Sequence, residues 1–276
     1  MPELPEVETI RLDLEMALMG DHAIACSVLD RRLMSLRDEV RWKAILLGQP
    51  WRHFRRIGKY LWIELANGWR IEFHLRMTGQ LLVVKSSSPA PTGRGPTKSR
   101  LSIEFASGKI LQFRDQRRFG EVRFRAPGER GGTKHPLGPD ALSELKRDQF
   151  IDIVKTRTTR IQPLLMDQRL IAGIGNIYAQ EALFKAGIRP TRSGVRVTRQ
   201  EAGRLYETLQ ETLQTAITHR GSSSRNYLDA NGDQGSAQTL HSVYRKGKKP
   251  CSRCQSELRA IRVGGRGSVF CPQCQK

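Results

Sequence analysis

Two cysteine pairs, Cys251-x2-Cys254 and Cys271-x2-Cys274, are separated by 16 residues near the end of the chain, and they constrain what that end can fold into. Each pair sets two sulfurs on one tight turn. A hairpin between the pairs brings four thiolates to one point, the spacing of a four-cysteine structural zinc site. The other chemistry open to a CxxC, a redox dithiol, goes with a single pair near a βαβ pattern. Four protein ligands leave no position for water or substrate, so the expected cofactor is one structural zinc. So short a segment has too little core to fold alone, and the metal supplies its folding energy. Cys26, the remaining cysteine, reads as a small buried side chain.

Arg259, Arg262 and Arg266 lie between the pairs and read as phosphate contacts rather than as a plain solvated face. That reading rests on charge: 47 Lys and Arg oppose 27 Asp and Glu among 276 residues, a net +20. Such an excess destabilises a compact fold unless a polyanion partners it. A hydrophobic content of 38% is enough for a globular core and too much for a disordered tail. No apolar run approaches the roughly 18 residues of a membrane span, and the start carries no secretion-signal pattern. Membrane, secreted disulfide-rich and fibrous classes are excluded. What remains is a cytoplasmic or nucleoid protein that meets nucleic acid.

The length suits two domains plus a small appendage. Val7, Ile10, Leu14, Ala17 and Leu18 recur at helical steps, with Pro5 suited to the first turn and Gly20 to the end, so the first 20 residues read as a helix. Residues 24–125 change period. Tyr60–Leu65 and Arg70–Phe73 flank Asn67-Gly68, a strong hairpin signal. Leu101–Phe105 and Ile110–Phe113 flank a second turn at Ser107-Gly108. The whole half reads as antiparallel strands in a sandwich. Residues 86–98 are rich in Pro, Gly and Ser and read as a mobile loop. Residues 126–139 break all periodicity and read as a linker. Beyond it, Asn176–Ala186 reads as a short helix closed by Gly187. Thr198 and Glu201 form a capping box for a long amphipathic helix ending near Gly221. Residues 222–240 read as a polar loop. The fold class is therefore α+β and multidomain, with residues 1–125, 140–240 and 241–276 as its three parts.

The start of the chain also has a chemical reading. With Met1 removed, Pro2 presents a secondary amine, less basic than a lysine and depressed further by a helix N-terminus. Its attack on a sugar aldehyde carbon gives an iminium that stays cationic, which suits covalent catalysis followed by elimination. Glu3 and Glu6 offer a carboxyl for proton transfer. Taken alone, the segment reads first as an ordinary helix start, because Pro and Glu suit any first turn.

The whole string changes that balance. PELPEVET at residues 2–9 closely resembles the start of the formamidopyrimidine-DNA glycosylases, bacterial enzymes that excise oxidised purines. IGKYLWIEL (57–65), HLRMTGQL (74–81), DQRRFGEV (115–122), LLMDQRLIAGIGNIYAQEALFKAGIRP (164–190) and the four-cysteine hairpin resemble further blocks of that family, in its order. The resemblance implies an N-terminal helix and β-sandwich, a helix–two-turn–helix domain and a zinc finger. It implies a bifunctional glycosylase and abasic-site lyase acting on double-stranded DNA that carries an oxidised purine. Pro2 is then the Schiff-base nucleophile and Glu3 a proton donor or acceptor beside the sugar. Lys59 contacts phosphate and assists β-elimination, Asn176 binds phosphate at a helix start, and Arg266 grips phosphate and assists δ-elimination. Met77, Arg117 and Phe119 match the trio that fills the void left by the flipped base. Arg100 and Arg118 join the expected DNA contacts. A monomer in the bacterial cytoplasm, associated with the nucleoid, is expected.

Two positions depart from the family pattern. Arg100 stands where His is frequent, and Gln162 where many members carry Lys. The loop 222–238, which in the family closes over the flipped base, is present. The competing readings are the sister group acting on oxidised pyrimidines and a non-catalytic DNA-binding module on the same scaffold. Pro2 and Glu3 speak against the second.

Overall fold

The computed structural model describes residues 1–33, 36–85, 99–129, 136–223 and 226–276. The expected loop at 86–98, part of the linker and two residues of the 222–238 loop lie outside them. The chain forms two compact units, Met1–Gly132 with His219–Ser236, and Thr133–Thr218 with Ala237–Lys276.

In the first unit, α1 (Leu4–Leu18) has Pro in its first turn, and Gly20 follows its end at φ 79°. Its Val7, Ile10, Leu14 and Leu18 face is buried in the unit's core. Among the described residues eight strands follow: β1 (Ala23–Val28), β2 (Trp51–Ile57), β3 (Tyr60–Leu65), β4 (Arg70–His74), β5 (Gly79–Lys85), β6 (Ser99–Phe105), β7 (Lys109–Asp115) and β8 (Glu121–Arg125). They make two four-stranded antiparallel sheets, ordered β1-β6-β7-β5 and β2-β3-β4-β8. Strand alternation turns Leu61, Ile63 and Leu65 of β3 and Ile71 and Phe73 of β4 inward, where they meet Leu81, Leu101, Ile103 and Phe113 of the other sheet. The Asn67-Gly68 and Ser107-Gly108 turns are formed, with Gly68 at φ 80° and Gly108 at φ 76°.

One element departs from the expectation of strands throughout 24–125. Leu36–Leu46 is a helix, α2. Asp38 and Glu39 in its first turn and Lys43 in its last complement the helix dipole, and Lys43 pairs with Glu39 one turn back at 3.0 Å. Trp42 packs on Phe124 with ring centroids 4.1 Å apart. A helix this short, set between strands, has too few apolar positions for a clear period.

Residues 219–236 return to the first unit, and Tyr227 and Ala230 join its core. Gly221 sits at φ 78°, and a Cβ there would lie 2.9 Å from Glu6 Cγ, so no larger residue fits without displacement.

The second unit holds α3 (Arg147–Lys155), α4 (Ile161–Met166), α5 (Asn176–Ala186) and α6 (Arg199–Thr218). Two tight turns join α4 to α5. The Asp167 carbonyl accepts the Leu170 and Ile171 N–H groups. The Gln168 amide donates to the Met166 and Ile174 carbonyls at 2.9 and 2.8 Å and accepts the Gly173 N–H at 2.9 Å. Gly187 ends α5 in the left-handed region, as expected. β9 (Arg259–Val263) and β10 (Arg266–Phe270) form the C-terminal hairpin.

The capping box of α6 is complete: Glu201 N–H donates to Thr198 Oγ1 at 3.2 Å, and Thr198 N–H donates to Glu201 Oε2 at 2.8 Å. Thr198→Ala should therefore lower stability by about 1 kcal/mol in chemical denaturation followed by helical circular dichroism. Thr198→Ser should recover most of that loss.

Candidate functional site

The first unit carries the start of α1. Pro2 is buried behind an exposed Met1, and Glu3 is 3% exposed. Glu3 N–H donates to Glu6 Oε2 at 2.8 Å, and the Glu3 carbonyl accepts Val7 N–H at 3.1 Å. The other Glu6 oxygen accepts Ser222 N–H at 2.7 Å. Tyr227 O–H donates to the Glu6 carbonyl at 3.3 Å, and burial pushes its pKa well above the ordinary value. Two turns further on, Asp13 Oδ2 accepts Arg220 Nη2 at 2.7 Å and Ala230 N–H at 3.2 Å, while Arg220 Nε reaches Asp229 at 2.8 Å.

Lys59 occupies a two-residue hairpin between β2 and β3, after Gly58 at φ 58°, the glycine position such turns require. Lys59 is 7% exposed. Two residues before the turn, Arg56 Nε pairs with Glu8 of α1 at 2.8 Å, and its Nη1 donates to the Gly58 carbonyl at 3.1 Å. The turn is thereby fixed to the first half of α1. His74, on β4, packs against Tyr60 and accepts Arg76 N–H on Nδ1 at 3.1 Å. Burial, then the charges of Arg76 and Lys59, brings its pKa down to about 4 against the opposing pull of Glu121.

Met77 and Phe119 are the apolar tips of two neighbouring turns, 41% and 53% exposed. Between them Arg117 Nη1 reaches Met77 Sδ at 3.1 Å, and its guanidinium lies 4.7 Å from the Phe119 ring centroid. The three side chains expected to act together are brought together here. Such exposed apolar groups cost hydration and fit ordinary core packing poorly. Arg118 beside them is half-exposed at φ 60°, its Nε 3.5 Å from Asp30.

Arg100, expected among the DNA contacts, is held by acceptors of the protein itself. It is 4% exposed, with Nε on Asp30 at 2.9 Å and Nη1 on the Gly120 carbonyl at 3.1 Å and on Asp115 at 3.5 Å. A guanidinium has five donors in a fixed fork, and protein acceptors draw these inward. Burial opposes charge on Asp30, but the Arg32 N–H and then Arg100 outweigh it and hold its pKa below the ordinary value.

In the second unit, Asn176 opens α5 and touches the hairpin that carries Arg266. Its Nδ2 donates to the Gly267 carbonyl at 3.0 Å, and its Oδ1 accepts Gln162 Nε2 at 2.9 Å. Gln180, one turn along, accepts Val269 N–H at 2.8 Å. Arg266 is exposed at the start of β10, its Nη1 3.9 Å from Met166 Sδ. Arg259 and Arg262 are exposed on β9.

The four cysteine sulfurs lie within 4.8 Å of one another, with Cys251–Cys274 at 3.9 Å and Cys254–Cys271 at 3.4 Å. A tetrahedral zinc with Zn–S bonds of about 2.3 Å sets its sulfurs about 3.8 Å apart, so the donor set fits. Arg253 N–H donates to Cys251 Sγ and Cys274 N–H to Cys271 Sγ, each at 3.4 Å, which favours thiolate charge. Phe184 of α5, Val243 and Leu258 pack around Cys251 and Cys271. The site holds a structural zinc.

Family comparison joins these parts. The formamidopyrimidine-DNA glycosylase N-terminal domain matches residues 1–122, that family's H2TH domain residues 137–227, and the zinc finger found in FPG and IleRS residues 248–276. The chain belongs to the formamidopyrimidine-DNA glycosylase family. A family member of that name from Pelotomaculum thermopropionicum is 37% identical, the match covering 100% of this chain and 99% of that protein. One from Chloroflexus aurantiacus is also 37% identical, covering 100% and 98%. A Lactococcus lactis Fpg mutant solved with Fapy-dG-containing DNA superposes with TM-score 0.87 at 33% identity, over 100% of both chains. The wild-type Lactococcus lactis protein solved with DNA containing an oxidised pyrimidine gives 0.86 at 32% identity, again over 100% of both.

Within this family frame, sequence reasoning assigned no anchoring role to Glu6, Asp13, Asp115, Gln180 or Arg220. Glu6 and Asp115 lie inside the quoted blocks, and the signal was a carboxylate held at a buried position. The partners of Asp13 and Arg220 are 207 residues apart, and no local pattern connects them.

Two outcomes follow from this geometry. Metal chelation or Cys251→Ser should unfold the β9–β10 hairpin and abolish DNA retention in a mobility-shift assay, while the near-ultraviolet signature of the β-sandwich persists. The second concerns pH. His74 has a folded pKa of about 4 against an ordinary 6.5, so the unfolded chain binds the extra proton between those values. Its contribution is complete above 6.5 and is lost as pH falls towards 4, up to about 3 kcal/mol. Denaturation of His74→Gln across that range should show a shallower decline than the parent.

Proposed function

We propose that this chain excises oxidised purines such as 8-oxoguanine and formamidopyrimidines from duplex DNA and then cleaves the strand at the resulting abasic site. The glycosylase activity belongs to base excision repair, and the lyase activity and proline Schiff base are typical of the family. The single observation that carries the residue assignment is the start of α1, where Pro2 and a 3% exposed Glu3 sit inside a protein whose exposed surface is strongly basic.

With Met1 removed, the Pro2 nitrogen is a secondary amine at a helix N-terminus, where the dipole disfavours its protonation. Its lone pair attacks C1′ of the damaged nucleotide and the glycosidic bond breaks, the base leaving with the bond's electrons and taking up the proton that the amine nitrogen sheds. Glu3 supplies a proton as the sugar ring opens, giving a cationic iminium. That cation acidifies the C2′ protons. Loss of one expels the 3′ phosphate, and a second elimination expels the 5′ phosphate. Lys59 holds phosphate for the first elimination and Arg266 for the second. Asn176, at the opening of α5, binds phosphate where helix N–H groups favour an anion.

Extruding the damaged nucleotide costs a few kcal/mol of stacking and pairing. Met77 and Phe119 enter the vacated stack, and Arg117 offers hydrogen bonds to the orphaned cytosine, recovering part of that cost. Arg118 contacts the adjoining backbone. The segments 1–125, 140–240 and 241–276 divide this work into chemistry, duplex binding and phosphate grip. The working form is a monomer acting on the bacterial nucleoid in the cytoplasm. None of the described helices is long and apolar enough to cross a membrane.

Borohydride should trap a covalent protein–DNA adduct that peptide mapping places on residue 2. An adduct on an internal lysine, or full activity with Met1 retained, would overturn the mechanism. Faster single-turnover excision of 8-oxoguanine opposite cytosine than of an oxidised pyrimidine is the expected ranking. The pyrimidine arm matters because the Lactococcus lactis relative was solved with such a lesion.

A further inference from the structure

The three wedge side chains touch one another at the surface, but what fixes them to the sandwich lies beneath. β5 and β7 pair with Gly79 opposite Asp115, so the turn carrying Met77 enters the sheet where the turn carrying Arg117 and Phe119 leaves it. The Asp115 side chain, 0% exposed, closes both turns. Its Oδ1 accepts the Thr78 hydroxyl and the Arg117 N–H, the latter at 3.2 Å. Its Oδ2 accepts the Gly120 N–H at 2.6 Å and faces Arg100 Nη1 at 3.5 Å. Arg100 bonds the Gly120 carbonyl from the same nitrogen, and its Nε is anchored on Asp30. A Cβ on Gly120 would lie 2.5 Å from the Phe113 ring and 3.1 Å from Asp115 Oδ2. That turn is held from both sides.

We propose that Asp115 and Arg100 are positioning residues for base extrusion: they lock the Met77 and Arg117–Phe119 turns in one inserting arrangement before DNA arrives. The proposal rests on the wedge reading of Met77, Arg117 and Phe119 given above. A wedge held in place loses less conformational freedom on insertion than one carried on two independent turns. Only an ionised carboxylate can take all these donors, because an asparagine turns an N–H2 towards one pair of them. Only a guanidinium fork reaches Asp30, Asp115 and a carbonyl together, so lysine is no substitute at position 100.

The test uses full-length, zinc-loaded protein carrying Asp115→Asn or Arg100→Lys. Two duplexes are compared, one with 8-oxoguanine opposite cytosine and one with a pre-formed abasic site, each with 2-aminopurine beside the lesion. Both variants should slow single-turnover base excision by about tenfold or more while changing abasic-strand cleavage by less than about twofold. The 2-aminopurine signal that reports insertion into the stack should shrink in step with excision. Adding Met77→Ala to Asp115→Asn should slow excision little further, since the wedge is already misplaced. If Met77→Ala and Phe119→Ala alone leave excision unchanged, the wedge reading itself fails. If those two slow excision but folded Arg100→Lys and Asp115→Asn match the parent on both duplexes, the wedge stands and the positioning proposal is overturned. Equal loss on both duplexes also overturns it. Where Asp115→Asn does not fold, Arg100→Lys decides, because it keeps the charge beside Asp30.

Discussion

The buried carboxylate of Glu6 is the contact on which the start of α1 and the returning segment both depend. One oxygen fixes the backbone of Glu3, and the other fixes that of Ser222, at 2.8 and 2.7 Å. A charge 1% exposed persists only when its acceptor capacity is used, and here two backbone donors use it. Removing that carboxylate strands two N–H groups from distant parts of the chain, each costing about 1–3 kcal/mol when left unpaired in the interior. The geometry at Pro2 and the entry of the returning segment are thus set by a single side chain.

The same device recurs, and it reorganises the charge of the molecule. Asp13, Asp115 and Asp229 are buried and hold backbone N–H groups. Glu181 takes three in succession, from Ser242, Val243 and Tyr244. Each carboxylate used in this way is withdrawn from solvent. Exposed arginines, including Arg117, Arg259, Arg262 and Arg266, remain outside. The surface met by a polyanion is therefore more positive than the net +20 implies. Internal acids order the backbone, and the exposed bases are left facing solvent.

What could be read from the sequence was what local chemistry encodes. Pro5 and Gly20 delimited α1, Asn67-Gly68 marked its hairpin, Gly187 closed α5, Thr198 with Glu201 opened α6, and the cysteine spacing foretold the zinc site. Each of these signals lies within a few residues of the feature it specifies. Asn176 and Arg266 were assigned separately, and Gly267 is where they meet, through an asparagine amide on a hairpin carbonyl. The inward hydrogen bonds of Arg100 carry no local signal in the sequence. Its partners Asp30 and Asp115 are 70 and 15 residues away. Helix α2 and the burial of Tyr227 were missed for related reasons, one from weak periodicity and the other because its partners lie in α1 and the sandwich.

The return of residues 219–236 to the first unit bears on how the chain is made. Tyr227 and Ala230 belong to the same core as Val7, Ile10 and Leu14. A nascent chain emerging from the ribosome presents α1 and all eight strands of the sandwich long before those two side chains are synthesised. Until they arrive, Glu6 has no Ser222 to bind and Asp13 no Arg220, so the N-terminal half waits with charged groups in an open seam. The helices of the second unit are translated during that wait. Completion of the first core is therefore one of the later events in biosynthesis, and a nascent chain stalled before residue 236 carries Pro2 and Glu3 without the segment that fixes the start of α1.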